Sequence, residues 1–455
     1  MDVFGSSGTR GVVNEEITPE FVLHVVAAAG MVWGADRVAV ARDTRHTGRM
    51  LENAAVSGLQ SVGCDVDRLE ALPTPGAQAY AAREGVPTVM ITASHNPPAY
   101  NGVKLIGGDG TELSVGELEA VEEAFLSEVD GSRSWSGTGR EHAVEDAARE
   151  YVDGVLAAVD RERIADADLT VAIDPGHGAA SATSPRLFRE LGCRVLTVNA
   201  QPDGRFPGRN PEPVEDNLAD LATLVRTSDA DVGIAHDGDG DRAIFFDESG
   251  GYIEGDTALA ALADAELGPG DATVAAVNVS QRLVDVCDRT GADLELTPIG
   301  STYITSRIQQ LQEEGVPVPV AGEGNGGIYF PEYSLARDGA YIGARFLELI
   351  AGTPASEVIE PFGGYHNVRL KLEYASESER EAMLSAVEQV ASESDAAVNA
   401  TDGVRLDFGD GWVLARPSGT EPVIRVYAEA RGEARAEELA ARLYDAAEAA
   451  RSDAD

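Results

Sequence analysis

Three pairs of short apolar runs, each pair ending in a polar, glycine-rich stretch, constrain the fold of this chain more than any other feature. "RVAVARDTR" (37–45) and "PTVMITASHNP" (87–97) form the first pair. "TVAIDPGHGA" (170–179) and "DVGIAHDGDGDR" (231–242) form the second, "ATVAAVNVS" (272–280) and "PVPVAGEGNGG" (317–327) the third. Runs of this length and β-branched content read as buried strands. Helical stretches separate the members of each pair, which predicts three copies of one α/β unit with largely parallel sheets. Loops at the C-terminal ends of such strands are where open α/β sheets bind ligands.

Helix punctuation supports the same reading. Thr18 with Pro19 predicts a helix start, and the stripe Phe21, Val22, Val25, Val26 runs to a stop near Gly34. Ser184–Pro185 opens another helix that Gly192 closes. From about residue 365 the texture changes. "HNVRLKLEY" reads as a strand, "GWVLARPSGTEPVIRVYAEA" as two strands around one loop, and roughly 433–451 as a final helix. This is a smaller fourth unit of α+β type. The Gly/Ser stretch "DGSRSWSGTG" (130–139) predicts a linker, and the units divide as 1–145, 146–248, 249–362 and 363–455.

The charge balance narrows the function. Lys and Arg total 35 against 78 Asp and Glu, a net of −43 spread along the whole chain. Such a surface repels nucleic acid and anionic membranes. Lys104 and Lys371 are the only lysines. Dispersed acid with so little lysine predicts a salt-adapted protein, because at molar salt the screening length falls to about 3 Å. An ordinary acidic cytosolic protein is the alternative. Cys64, Cys193 and Cys287 lie far apart and predict small buried hydrophobes in a reducing cytoplasm. No signal-type leader or membrane span is read in the sequence. The expectation is a soluble cytoplasmic protein acting on small molecules.

The loops carry the chemistry. "HDGDGDR" places Asp237, Asp239 and Asp241 at alternate positions after a strand, three hard oxygen ligands suited to Mg²⁺ or Ca²⁺. An EF-hand fails, since Arg242 stands where that loop needs glycine and the flanks are strands. "RPSGTEPVIR" (416–425) offers Arg416, Ser418, Gly419, Thr420 and Arg425, a set suited to phosphate. "AGEGNGG" lets Glu323 and Asn325 approach a polyol. Ser94 sits in a rigid turn between a buried strand and Pro97–Pro98, as a turn former, a nucleophile or a carrier. Strand alternation predicts that His95 points away from it and is a poor base, and no G-x-S-x-G elbow is present.

"TASHNP", "DGDGDR", "GEGNGG" and "RPSGTEP", in that order, resemble the α-D-phosphohexomutases along essentially the whole chain. "FGSSGTRG" and the GE-x-NGG loop look most like the archaeal phosphoglucosamine mutase-type branch. The resemblance implies three similar α/β domains with mixed sheets plus the smaller C-terminal domain, arranged around a central cleft. It implies that Ser94 is phosphorylated and that one Mg²⁺ per chain binds Asp237, Asp239, Asp241 and phospho-Ser94. Glu323 and Asn325, with Gly300 and Thr302 in "TPIGSTYI", would contact sugar. Arg416, Ser418, Gly419, Thr420 and Arg425 would hold the non-reacting phosphate.

Arg10, Arg242 and Lys104 are the cations available for neutralisation. Lys104 is assigned as general acid/base, since an ammonium exchanges a proton where a guanidinium hardly can. His95 is a secondary contributor. The implied reaction moves phosphate between C1 and C6 of a hexose through a 1,6-bisphosphate, with glucosamine phosphates first and glucose or mannose phosphates as the alternative. A metal-dependent phosphatase and a non-catalytic binding protein are the remaining rivals, and monomer and homodimer both stay open. Many bacterial relatives carry Ser and His where this chain has Asn325 and Gly327, which leaves the sugar open.

Overall fold

The computed structural model describes residues 3–5, 8–127, 131–418 and 422–453. Three sheets repeat one strand order. In the first, Asp65–Ala71, Arg37–Arg42 and Thr88–Ile91 run parallel and Tyr100–Ile106 returns antiparallel. The second repeats this with Arg194–Thr197, Val171 at the heart of Thr170–Asp174, Val232–Ala235 and the antiparallel Ile244–Phe246. The third uses Asp293–Thr297, Ala272–Ala276, Ala321–Glu323 and the antiparallel Gly327–Phe330.

The paired runs are therefore neighbours in space: Val40 faces Val89, Ile173 faces Ile234 and Ala275 faces Gly322. The sheets are mixed, as the family resemblance implies, although the runs themselves read as largely parallel. One detail differs: in sequence, a further strand lies between the members of each pair. Two of those strands escape notice because "DVDRLEA" and "DLELT" carry charge at every second or third position, which reads as a loop. Glu141–Ala143, just beyond the predicted linker, adds to the outer edge of the first sheet.

One consequence of the repeat positions the site. The serine loop, the aspartate loop and the 324–326 loop all occupy the same turn, from the third strand of a unit to its antiparallel fourth. Elements behave locally as their residues dictate. Thr18 accepts the Phe21 amide at 3.0 Å, and Gly34 ends that helix at φ +58. The second and third units share one buried cluster, in which the Phe245 and Phe346 rings stack at 4.0 Å. Each such ring contributes on the order of 1.5–3 kcal/mol by leaving water, which fixes the aspartate loop relative to the 324–326 loop. All three cysteines are buried thiols.

The fourth unit is an antiparallel sheet ordered His366–Glu373, Val423–Ala430, Gly411–Pro417, Val404–Asp407, Ala397–Asn399, backed by helices Glu377–Ser392 and Glu433–Asp453. It docks on the third unit. Trp412 and Leu414 pack on Val277, and Arg405 lies 4.1 Å over the Trp412 ring while donating to the Val277 carbonyl at 2.6 Å. Buried Glu429 accepts from Ser280 Oγ at 2.9 Å and Arg282 at 3.2 Å. Among the described residues, no helix is long and apolar enough to cross a membrane.

Candidate active site

Ser94 is buried with φ +49, a left-handed conformation that breaks strand alternation. This corrects the expectation for His95: the Ser94 hydroxyl lies 3.3 Å from His95 Nδ1, and the two side chains share one side of the chain. Arg242 Nη2 lies 3.1 Å from the same nitrogen. The cationic Arg242 and burial hold the imidazole pKa far below its ordinary value, so His95 is neutral at neutral pH.

The loop is held from beneath by Arg45, whose guanidinium donates to the carbonyls of Ser94, Asn96, Pro97 and Tyr100 at 2.7–3.0 Å. Its Nε meets Asp43 at 3.0 Å, and Asp43 also accepts the Thr92 hydroxyl at 2.7 Å. Sequence reasoning passed over "ARDTR" as the tail of a strand. Its signal was a buried-type strand running into three charges, Arg42, Asp43 and Arg45.

Asp237, Asp239 and Asp241 bring carboxylate oxygens within 4.8 Å of one another. Gly240, at φ +74, makes the tight turn, and a Cβ on Gly238 would stand 2.5 Å from the Ser94 carbonyl. That close approach lets Ser94 donate to Asp237 at 2.8 Å, while Thr74 donates to Asp239 at 2.6 Å. Oδ1 of Asp239 and Oδ1 of Asp241 are buried with no hydrogen-bond partner among the described residues. Burial, then Asp241 and Asp239, push the Asp237 pKa well up. Uncompensated hard oxygen donors of this kind fit a divalent cation such as Mg²⁺.

Cations ring the cluster. Lys104 Nζ lies 3.2 Å from Glu112, 3.3 Å from Asp241 and 3.6 Å from Asp239. Burial works against its charge, but Glu112, Asp241 and Asp239 outweigh it and raise its pKa. Arg337 contacts Asp241 at 2.6 Å and Glu323 at 3.0 Å. Asp241 is in turn held below the usual carboxylate range: burial opposes ionisation, and Arg337, Lys104 and Arg242 overcome it. Arg10 donates to Asn96 Oδ1 at 3.3 Å beside the serine loop, and burial lowers its pKa.

A cleft of about 460 Å³ opens between the second, third and fourth units. Arg242, Glu323, Asn325, Arg416 and Arg425 line it, together with Glu254, Ile299, Asn367 and Arg369. Arg416 and Arg425 face each other on adjacent strands, and Arg416 pairs with Asp402 at 3.0 Å. The Ser418 amide donates to the Val423 carbonyl at 2.9 Å, closing the base of that loop. Gly419 and Thr420 lie outside the described residues. Gly300 takes φ 143 ahead of helix Ser301–Glu313, where Ser301 donates to Glu112 at 2.7 Å and Thr302 is buried beside Lys104. Ile299, just before Gly300, is the member of that segment on the cleft wall. The structure thus brings together Ser94, His95, Lys104, Arg242 and the aspartates, with Arg10 at their edge. Missed in the sequence were Arg369 on the cleft wall and three charged residues with contacts remote in sequence: Glu112 with Ser301, Arg337 with Asp241, and Asp402 with the Ile299 amide.

Models for the four phosphoglucomutase/phosphomannomutase domains match in succession: α/β/α domain I over residues 1–130, domain II over 149–251, domain III over 254–364, and the C-terminal domain over 368–446. The chain belongs to the phosphoglucomutase/phosphomannomutase family; it is a phosphohexomutase, an isomerase. It is 41% identical over 449 residues, 96% of each chain, to the phosphoglucomutase/phosphomannomutase of Thermococcus kodakarensis. A probable phosphoglucosamine mutase of Methanopyrus kandleri is 39% identical over 451 residues, 97% of each chain. Among solved structures, a phosphoglucomutase/phosphomannomutase family protein from Burkholderia thailandensis superposes with TM-score 0.84 at 26% identity, covering 98% of this chain and 97% of its own.

Proposed function

We propose that this phosphohexomutase works through phospho-Ser94 and that its preferred pair is glucosamine 6-phosphate and glucosamine 1-phosphate. The carrying observation is the buried Ser94 hydroxyl on Asp237 at 2.8 Å, inside a cluster of three carboxylates ringed by Lys104, Arg242 and Arg337. Phospho-Ser94 gives its phosphoryl group to the free hydroxyl of a hexose monophosphate. The resulting 1,6-bisphosphate turns over in the cleft, and its other phosphoryl returns to Ser94. Catalysis of so loose a transfer is positioning and charge neutralisation.

Asp237, Asp239, Asp241 and the phosphoserine would hold one Mg²⁺, which supplies positive charge opposite the transferring group. Arg242 and Arg10 border the serine. Arg416, Ser418, Gly419, Thr420 and Arg425 hold the phosphate that is not reacting, and Glu323 and Asn325 hold sugar hydroxyls. Lys104, its ammonium 3.3 Å from Asp241 and 3.6 Å from Asp239, exchanges a proton with the attacking hydroxyl and neutralises charge there.

Glu254 and Glu323 on the cleft wall support the amino sugar, since an ammonium at C2 would meet carboxylate there. Competition between glucosamine 1-phosphate and glucose 1-phosphate, followed by ³¹P NMR, tests this. Strong preference for the amino sugar is expected. Equal rates favour the second reading, a mutase of broad hexose specificity, which the relationship to the Thermococcus enzyme supports. Salt adaptation, a cytoplasmic setting and a monomer or homodimer are further parts of the proposal, supported by the net charge of −43 and the buried thiols.

A further inference from the structure

Arg337 ends strand Ser334–Arg337 with its side chain 7% exposed. One guanidinium nitrogen donates to Asp241 Oδ2 at 2.6 Å and the other to Glu323 Oε2 at 3.0 Å. The first carboxylate belongs to the aspartate loop of the second unit, the second to the 324–326 hairpin of the third. Getting there, the aliphatic part of the side chain passes directly over Gly327. A Cβ at 327 would stand 2.6 Å from Arg337 Cδ and 3.4 Å from its Nε. Gly327 takes no positive φ, so backbone strain gives no reason for glycine here. The passage of Arg337 does.

The arginine is itself pinned. Asp338 follows it immediately, buried, and accepts the Tyr151 hydroxyl at 2.7 Å and the amides of Ala340 and Tyr341 at 3.0 Å. A planar, always-charged fork can join two carboxylates in this way, whereas an ammonium acts as a point charge. Removing it would leave two carboxylates, 2% and 12% exposed at the side chain, without their shared counter-ion.

We infer that Arg337 is a positioning residue of the mutase reaction that ties the sugar-contacting carboxylate of Glu323 to the metal-binding carboxylate of Asp241, and that Gly327 is glycine to let it pass. The inference rests on the phosphohexomutase reading of these loops. It has two consequences of opposite sign. Arg337 competes with a metal ion for Asp241 Oδ2, so its loss tightens divalent-metal binding. Its loss also frees Glu323, so sugar phosphate binds more weakly.

The test compares wild type with Arg337→Met, Arg337→Ala, Arg337→Lys, Gly327→Ala and the Gly327→Ala/Arg337→Ala double variant. Mn²⁺ binding is measured by electron paramagnetic resonance on dephosphorylated protein, and KM and kcat at saturating Mg²⁺ with glucose 1-phosphate. For Arg337→Met, KM is expected to rise about tenfold or more, the size of a lost hydrogen bond to a charged group, with a smaller change in kcat and a several-fold fall in the Mn²⁺ dissociation constant. Gly327→Ala should raise KM by displacing the arginine. The double variant should have a KM close to that of Arg337→Ala alone, since Arg337 Cδ and Nε are then gone and only Asn325 Oδ1, at 3.1 Å, stays near the added methyl.

Unchanged KM with unchanged Mn²⁺ affinity in folded Arg337→Met, or additive effects in the double variant, overturns the inference. Should Arg337→Met not fold, Arg337→Lys and Gly327→Ala decide it by the same two readouts. Absence of mutase activity in wild type would instead strike the functional reading, and the Mn²⁺ comparison would still judge the Arg337–Asp241 contact.

Discussion

The hydroxyl of Ser94 reaches Asp237 because one left-handed residue, at φ +49, turns it out of the strand's alternation. The same turn brings His95 to its side, and there the imidazole stays neutral beside Arg242. A group with its pKa held far below 6.5 does not titrate between pH 6 and 8. The acid limb of kcat/KM should therefore follow the substrate's phosphate, whose second pKa is about 6. His95→Gln should lower the rate yet leave that limb in place; loss of the limb in the variant would show that His95 does titrate. Lys104 is shifted the other way. Its ammonium, favoured below a raised pKa, is lost only above the ordinary lysine value, so no fall in rate from this group is expected up to pH 9. Lys104→Met should cost about 10²–10³ in kcat, the scale of a removed electrostatic stabiliser, as steady-state kinetics would read.

At the scale of elements, the serine loop is held less by its own residues than by Arg45 from a neighbouring strand end. Arg45→Met should destabilise the protein by about 3–5 kcal/mol, since Asp43 would remain as a buried unpaired charge. Adding Asp43→Asn should recover part of that loss; urea melts in molar KCl measure both, and strict additivity would contradict a coupled pair. The strand pairs, the loops that end them and the triad Asp237, Asp239, Asp241 were legible because buried strands and glycine-rich turns are written in consecutive residues. Outer strands such as Asp293–Thr297 were not, because alternating charge at an edge resembles a loop. Nor were Glu112, Arg337 and Asp402, whose contacts with Ser301, Asp241 and the Ile299 amide join separate units. The conformation of Ser94 misled for a related reason: alternation predicts side-chain direction only while the backbone stays extended.

The whole molecule turns one repeated unit into three different tools. Equivalent turns of three sheets carry a serine, three aspartates and the glycine-rich 324–326 loop, and a shared core locks the last two together. The fourth unit closes the cleft with Arg416 and Arg425, anchored through Trp412 and Glu429. Around this lies a surface of net charge −43. Raising KCl from dilute to molar shortens the screening length to about 3 Å, and the thermal midpoint should climb with it; a midpoint that does not move would remove the argument for salt adaptation.

The most direct test of the account is to load the protein from glucose 1,6-bisphosphate labelled with ³²P, isolate it, and chase with unlabelled glucose 1-phosphate and Mg²⁺. Label should reside on Ser94, be absent in Ser94→Ala, and pass to the bisphosphate and 6-phosphate of the sugar. Label released as inorganic phosphate, or a chain that takes up none, would contradict a phosphoserine mutase.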